Sequence, residues 1–136
     1  MVKKKMIYKD LILINDVYNK IISFHSSDHL PNAFIFHGES GIGKEAHAIE
    51  FFAYINCENR NNNQSCGKCK SCIKTKKLQH ENLNIILPFP KSKSLKKDDH
   101  PLKALNNKQL EKLENMFSQK GVNPYYRLSF KSANTI

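Results

Sequence analysis

Four cysteines, the only ones in the chain, are concentrated between residues 57 and 72. Their spacing is Cys57-x8-Cys66-x2-Cys69-x2-Cys72, and Gly67 stands between the second and third of them. Thiolates at such short spacings are typical zinc ligands, and four of them complete a tetrahedral shell with no position open for water. The pattern therefore predicts a structural zinc ion rather than a catalytic one.

Two other interpretations of the cysteines stay open at the level of sequence. An iron–sulfur cluster also uses four cysteine ligands, although its usual spacings differ from this one. The second alternative is that the cysteines lie in the core without a ligand. Disulfides are not expected, because we interpret the chain as cytosolic and disulfides are rare in the cytosol. His80 lies close to the cysteines in sequence but is surplus to a complete set of four sulfurs. We expect it to be a loop or packing residue.

A second motif is the glycine-rich stretch GESGIGKE over residues 38–45. Gly38, Gly43 and Lys44 match a phosphate-binding loop, with Gly41 inside it, and glycines let backbone N–H groups surround phosphate oxygens. That motif requires a serine or threonine after the lysine as a ligand of Mg²⁺, but here the residue is Glu45. We therefore expect these five residues to form a degenerate nucleotide site with weak or absent ATP binding and no useful hydrolysis.

The segments around both motifs have the periodicity of regular secondary structure. Apolar spacing predicts helices over 11–25, 45–55 and 107–120, and a basic stretch predicts a short fourth helix over 70–78. Short apolar runs rich in β-forming residues predict strands over 33–37 and 84–87. The phosphate loop would then lie between a strand and a helix, which is the context that such a loop requires.

The charge of the chain is unevenly distributed. Its 136 residues have a formal net charge of +10, and residues 1–56 contribute none of it because their six lysines balance six acidic residues. The basic residues are 20 lysines and only 2 arginines. Phosphate and base recognition usually uses more arginine, because the guanidinium group forms paired hydrogen bonds. The charge alone therefore permits DNA contact without establishing it.

Neither a membrane span nor a signal peptide is predicted. No apolar run approaches the roughly 18 residues that a spanning helix needs. The N-terminal sequence MVKKKMIYKD begins with basic residues, but Tyr8, Lys9 and Asp10 follow where a signal peptide requires an apolar stretch. We expect a cytoplasmic protein that does not contact a membrane.

Together, the two motifs resemble one known family. A strand, a phosphate loop and a helix that runs directly into this cysteine pattern are similar to the N-terminal AAA+ domain of bacterial DNA polymerase III clamp-loader subunits. The matching stretch is LPNAFIFHGESGIGKEAHAIEFFAYINC, then the cysteines, then His80-Glu81-Asn82-Leu83. The resemblance implies an α/β fold, in which residues 1–136 form a partial AAA+ P-loop domain with an incomplete parallel sheet. It makes residues 57–72 an inserted zinc module, and the family's lid and collar domains are absent from this sequence.

The resemblance also implies a function. Within the family, gamma/tau subunits keep the hydroxyl after the lysine and hydrolyse ATP, whereas delta-prime subunits have degraded loops, so Glu45 points to the delta-prime type. The chain would then be a noncatalytic subunit of the DNA polymerase III holoenzyme, with no catalytic residue, that acts in sliding-clamp loading during DNA replication. Its partners would be gamma/tau and delta subunits and, indirectly, the sliding clamp and primed DNA.

Two alternative functions stay open. The first is an ATP-hydrolysing subunit of the gamma/tau type in which Glu45 is tolerated. The second is a zinc-knuckle protein that binds nucleic acid and has a phosphate loop by coincidence. Against this second alternative, residues 57–80 contain no Phe, Tyr or Trp that could stack on bases.

Overall fold

The computed structural model describes residues 5–90 and 93–130, whose regular structure is helical. Within these residues, a 3-10 helix, Pro101–Ala104, precedes the last of four α-helices. These are α1 (Asn15–Ser26), α2 (Lys44–Asn56), α3 (Lys70–Lys76) and α4 (Asn107–Val122). The predicted domain 1–136 also includes residues 1–4, 91–92 and 131–136, which lie outside the described residues.

The predicted α/β fold, a partial AAA+ P-loop domain with an incomplete parallel sheet, is wrong. Over residues 5–90 and 93–130 the chain forms no β-strand, and an isolated antiparallel bridge joins Asn61 to Gln64. A strand needs a neighbouring segment with which it exchanges backbone hydrogen bonds. Neither 33–37 nor 84–87 has such a neighbour within the part of the chain that the structure describes.

The apolar pattern of these two segments has a different cause. Phe34 and Phe36 are half-buried against α1 and α2, whereas Ile35 between them is 90% exposed. Ile86 is likewise almost fully exposed, while Ile85 and Leu87 pack on the core. The side chains of both segments therefore alternate between buried and exposed. The buried ones pack on the helical core, and neither segment belongs to a sheet.

The four predicted helices are confirmed, with small changes in their bounds. α1 begins at Asn15 rather than at residue 11, because Leu11 is fully buried in the core and the N–H of Ile14 donates to His47 Nε2 at 3.1 Å. α4 begins with a capping box between Asn106 and Gln109, in which each side chain accepts a hydrogen bond from the other residue's N–H.

Helix α4 continues beyond residue 120, its predicted end, to Val122, so Gly121 lies within the helix. A Cβ atom on Gly121 would lie 2.8 Å from the carbonyl oxygen of Lys76. The glycine therefore permits a close approach between α4 and the end of α3.

Helix α2 lies between two hydrophobic clusters. Ala46, Ile49 and Ala53 belong to the first cluster, and Phe51 and Tyr54 belong to the second. The second cluster is completed by three residues of α1, Tyr18, Ile21 and Ile22. The first contains the N-terminal segment and the cysteines, with Met6, Ile7, Tyr8, Leu11, Cys57, Cys69, Cys72, Leu78, Met116 and Leu128. None of the described helices has the length and apolar character needed to cross a lipid bilayer.

The buried carboxyl group of Glu50, in α2, connects the N-terminal segment to the loop that carries the cysteines. Its side chain is 0% exposed and accepts hydrogen bonds from the N–H groups of Ile7 at 3.4 Å and Tyr8 at 3.2 Å. It also accepts one from Ser65 Oγ at 2.7 Å, next to Cys66. Burial raises the pKa of Glu50, and these three hydrogen bonds offset the increase only in part.

The raised pKa of Glu50 predicts a pH-dependent stability. The ordinary pKa is 4.5, so above that pH the unfolded chain releases a proton that the folded chain still holds. The stabilisation from this proton is complete below pH 4.5 and is lost as the pH rises through the folded-state pKa, at up to ~1.4 kcal/mol per pH unit. Chemical denaturation should therefore show native stability falling relative to Glu50→Gln as the pH rises. A difference between the two proteins that is constant up to neutral pH would contradict this.

Candidate metal centre and phosphate loop

The four cysteines converge on one point between α2 and α3. Cys57 directly follows α2, Cys69 is the N-cap of α3, Cys72 lies in the first turn of α3, and Cys66 comes from the loop between the helices. Their Sγ atoms all lie within 4.8 Å of one another. Three of the four residues are buried and Cys66 is partly buried.

The spacing of the sulfurs fits a zinc ion. A tetrahedral shell with Zn–S bonds of 2.3 Å places the sulfurs about 3.8 Å apart. The Sγ atoms of Cys66 and Cys72 are 3.9 Å apart, and all four thiols are free of disulfides. A disulfide would need sulfurs about 2.05 Å apart. The donor set therefore suits one structural Zn²⁺ held by Cys57, Cys66, Cys69 and Cys72, as the sequence predicts.

Backbone donors around the sulfurs favour their ionised form. The N–H of Cys66 donates to Cys57 Sγ at 3.2 Å, that of Cys69 to Cys66 Sγ at 3.2 Å, and that of Cys72 to Cys69 Sγ at 3.4 Å. Hydrogen bonds to a charged acceptor are stronger than those to a neutral thiol. Because the cysteines are close in sequence, their own backbone N–H groups can donate to neighbouring sulfurs and stabilise the cluster.

The thiols differ in how easily they lose their protons without a metal. Burial opposes ionisation of Cys66, but hydrogen bonds from the N–H groups of Lys68 and Cys69 and from the thiols of Cys69 and Cys57 together outweigh it and lower the pKa of this thiol to about 7. Burial raises the pKa of Cys57 and Cys72 instead. A divalent cation bound at this point would supply the positive charge that holds all the thiolates ionised.

The N-terminal segment covers the cysteine loop at Gly67. This residue has a φ of +70°, in the left-handed region, which permits the turn between Cys66 and Cys69. A Cβ atom here would lie 2.6 Å from the carbonyl oxygen of Met6. Gly67 is therefore required both by its own conformation and by the close packing of the N-terminal segment.

His80 supports the cluster from outside, as expected of a packing residue. Its Nδ1 accepts the N–H of Asn82 at 3.1 Å, so its Nε2 is the atom that donates to Ser71 Oγ at 3.0 Å. The imidazole ring also packs edge-on against Phe52 of α2, with 5.2 Å between the ring centres. His80 thus joins α3 to α2 and is not part of the four-sulfur set.

The residues predicted for the phosphate loop line one wall of a cavity of about 390 Å³, and Lys120 and residues 124–127 line the rest of it. Gly41 and Gly43 have φ values of 85° and 83°, in the left-handed region that favours glycine. Gly43 is the N-cap of α2. The structure brings the predicted residues together on this cavity, with Gly38, Gly41, Gly43, Lys44 and Glu45 along its wall.

The lysine of the loop is engaged by the loop itself. Lys44 Nζ donates to the carbonyl oxygens of Gly38 at 2.7 Å and Glu39 at 2.6 Å. The ammonium group thus has two acceptors within its own loop.

Glu45 forms an ion pair with Lys120, a residue that sequence reasoning did not identify. Lys120 is 1% exposed, and its Nζ lies 3.2 Å from Glu45 Oε2. It also donates to the carbonyl oxygens of Pro124 and Tyr126, both at 2.8 Å. Burial lowers the pKa of Lys120, and Glu45 opposes that effect. The feature of the sequence that could have identified Lys120 is its position on the apolar face of α4.

Two further side chains, also missed from the sequence, hold the loop in position. His47 Nδ1 donates to the carbonyl oxygen of Gly43 at 2.7 Å, while its Nε2 accepts the N–H of Ile14. Tyr125 accepts the N–H of Ile12 at 3.0 Å through its hydroxyl oxygen, and its ring would lie 3.1 Å from a Cβ on Gly43. The loop is therefore held against the segment that precedes α1 and against the segment after α4.

Metal analysis can distinguish a site with four sulfur ligands from one in which the imidazole of His80 is a ligand. We expect one zinc per chain in the native protein, loss of that zinc in Cys72→Ser, and retention of it in His80→Gln. The physical reason is that the four sulfurs complete the shell by themselves. Zinc loss in His80→Gln equal to that in Cys72→Ser, or iron in place of zinc, would contradict the assignment.

Comparison with known families adds independent information. A family model described as DNA polymerase III, delta subunit, matches residues 14–130, a range that contains the phosphate loop, the four cysteines and α4. Comparisons with curated proteins and with solved structures gave no match. The family match extends over most of the chain, which therefore belongs to the DNA polymerase III clamp-loader family.

Proposed function

We propose that the chain is a noncatalytic subunit of the delta-prime type, which acts in sliding-clamp loading within the DNA polymerase III holoenzyme. The observation that carries this proposal is the ion pair between Glu45 and the buried Lys120. A glutamate stands where an active phosphate loop has the hydroxyl that binds Mg²⁺. Its carboxylate already has a cationic partner within the chain.

The electrostatics of the loop support weak nucleotide binding. The N-terminus of a helix normally attracts phosphate, because unpaired N–H groups and the helix dipole both favour an anion there. In this chain the carboxylate of Glu45 occupies the first turn of α2. Lys44 donates to Gly38 and Glu39, so phosphate would have to displace those bonds. Both features disfavour a triphosphate with its metal ion.

We assign the proposed zinc ion a structural role, since four sulfur ligands leave no open position for a substrate or water. Membership of the family implies partnership with other clamp-loader or polymerase III subunits. Specifically, the proposed partners are gamma/tau and delta subunits, with the sliding clamp and primed DNA contacted through the assembly.

Calorimetry with Mg·ATP tests the noncatalytic assignment. We expect no binding in the micromolar range and no phosphate release above a blank, because the hydroxyl ligand is absent and the lysine is engaged by the loop. Lys44→Ala should behave as the native chain does. If Mg-dependent hydrolysis is found and is lost in Lys44→Ala, the protein is an ATPase of the gamma/tau type and the proposal fails.

A substitution at Glu45 tests whether its carboxylate is structural. Glu45→Thr restores the hydroxyl of an active loop but leaves Lys120 buried without its anionic partner. Because Lys120 keeps two carbonyl acceptors and Glu45 is partly exposed, we expect a loss of about 1–2 kcal/mol in the free energy of unfolding. The matched control is Glu39→Thr, at an exposed position of the same loop, with an expected change within about 0.5 kcal/mol. Equal effects of both substitutions would show that the ion pair contributes nothing.

A further inference from the structure

We infer that the groove between the end of α3 and α4 binds an acidic protein segment carrying apolar side chains. The groove has a volume of about 550 Å³ and lies on a different set of residues from the phosphate loop. Lys76 and Lys77 line one side, and Phe117 and Val122 line the other.

The base of the groove is built by a close helix contact. Gly121 of α4 lies so near to the carbonyl oxygen of Lys76 that an added Cβ would be 2.8 Å from it. Such an approach leaves little freedom for the two helices to shift relative to each other. The groove is thus formed without a ligand, which reduces the entropy cost of binding.

Apolar side chains are presented to solvent inside this groove. Val122, the last residue of α4, is 79% exposed. Phe117 is half-buried, packing against the first hydrophobic cluster while it lines the groove. An apolar side chain of a partner that covered both residues would gain roughly 25 cal/mol per Å² of apolar surface removed from water.

Two exposed lysines make one side of the groove positively charged. Lys76 and Lys77 lie there, and the acidic residue of the lining is Glu114, so the described lining residues carry a formal net charge of +1. Lys74, earlier in α3, has an acidic partner in Glu81. A partner with carboxylates at the edge of the groove would therefore be complementary in charge.

A protein segment fits these features better than nucleic acid does. Glu114 also lines the groove, so a uniformly charged phosphate chain is repelled there, whereas a protein segment can place an apolar residue against it and its carboxylates beside Lys76 and Lys77. Phe117 is the one aromatic residue among the described residues of the lining, and lysine stands in place of the arginine that usually reads phosphate and bases. Phosphate backbone would also leave the apolar surface of Val122 and Phe117 uncovered.

Fluorescence anisotropy with the zinc-loaded full chain tests the inference. The probe is a short labelled peptide of leucine, phenylalanine, glutamate and aspartate, compared with a peptide in which alanine replaces the large apolar residues. We expect the first peptide to bind, and the alanine peptide to bind at least ~10-fold more weakly, because apolar contact and charge both contribute.

Variants locate the binding surface. We expect Lys76→Glu with Lys77→Glu to weaken binding at least ~10-fold, and Val122→Ser to weaken it several-fold. The matched control, Lys93→Glu with Lys97→Glu, changes the net charge equally at two exposed positions that do not line the groove, and it should leave affinity within about twofold. Zinc content of each variant reports retention of the fold.

Three outcomes would overturn the inference. The first is that the full chain does not bind the acidic apolar peptide. The second is that the control pair weakens binding as much as the groove pair, which would reduce the effect to net charge. The third is that a single-stranded oligonucleotide of equal charge binds more tightly than the peptide and depends on Lys76 and Lys77.

Discussion

The convergence of four sulfur atoms on one point is the constraint on which the rest of this structure depends. Cys57 follows α2 and Cys72 lies in α3, so a shared metal ion would fix the two helices to each other. The N-terminal segment then packs over the loop, where Met6 meets Gly67, and Glu50 binds both that segment and the residue before Cys66. The described residues form no sheet, so pairing between strands does not organise their core. The four-cysteine centre takes that role.

The phosphate loop combines the glycine conformations of a binding motif with charged side chains that are engaged within the chain. Its glycines retain left-handed conformations, and α2 still begins directly behind it. Two of its three charged side chains, however, are engaged within the chain, Lys44 by loop carbonyls and Glu45 by Lys120. A carboxylate paired with a buried ammonium group contributes to folding, so restoring a hydroxyl at that position would remove a structural interaction.

The sequence predicted local features well and tertiary ones poorly. The cysteine spacing predicted the four-sulfur cluster because its members are separated by few residues, and apolar periodicity located three of the four described α-helices, with a basic stretch indicating the fourth. The predicted sheet was wrong because burial of Phe34 and Phe36 on helices produces the same pattern as burial in a strand. Lys120 and Glu50 were missed because their partners lie 75 and 43 residues away, a distance that spacing rules do not reach.

Amide hydrogen exchange with and without zinc tests most directly whether the metal centre organises the fold. The account predicts that zinc removal accelerates exchange together in α3, in the cysteine loop and at Ile7 and Tyr8, whose N–H groups bind Glu50. Helix α1, which packs in the second cluster, should keep more of its protection. Faster exchange confined to residues 57–72, with Ile7 and Tyr8 unchanged, would contradict the central claim.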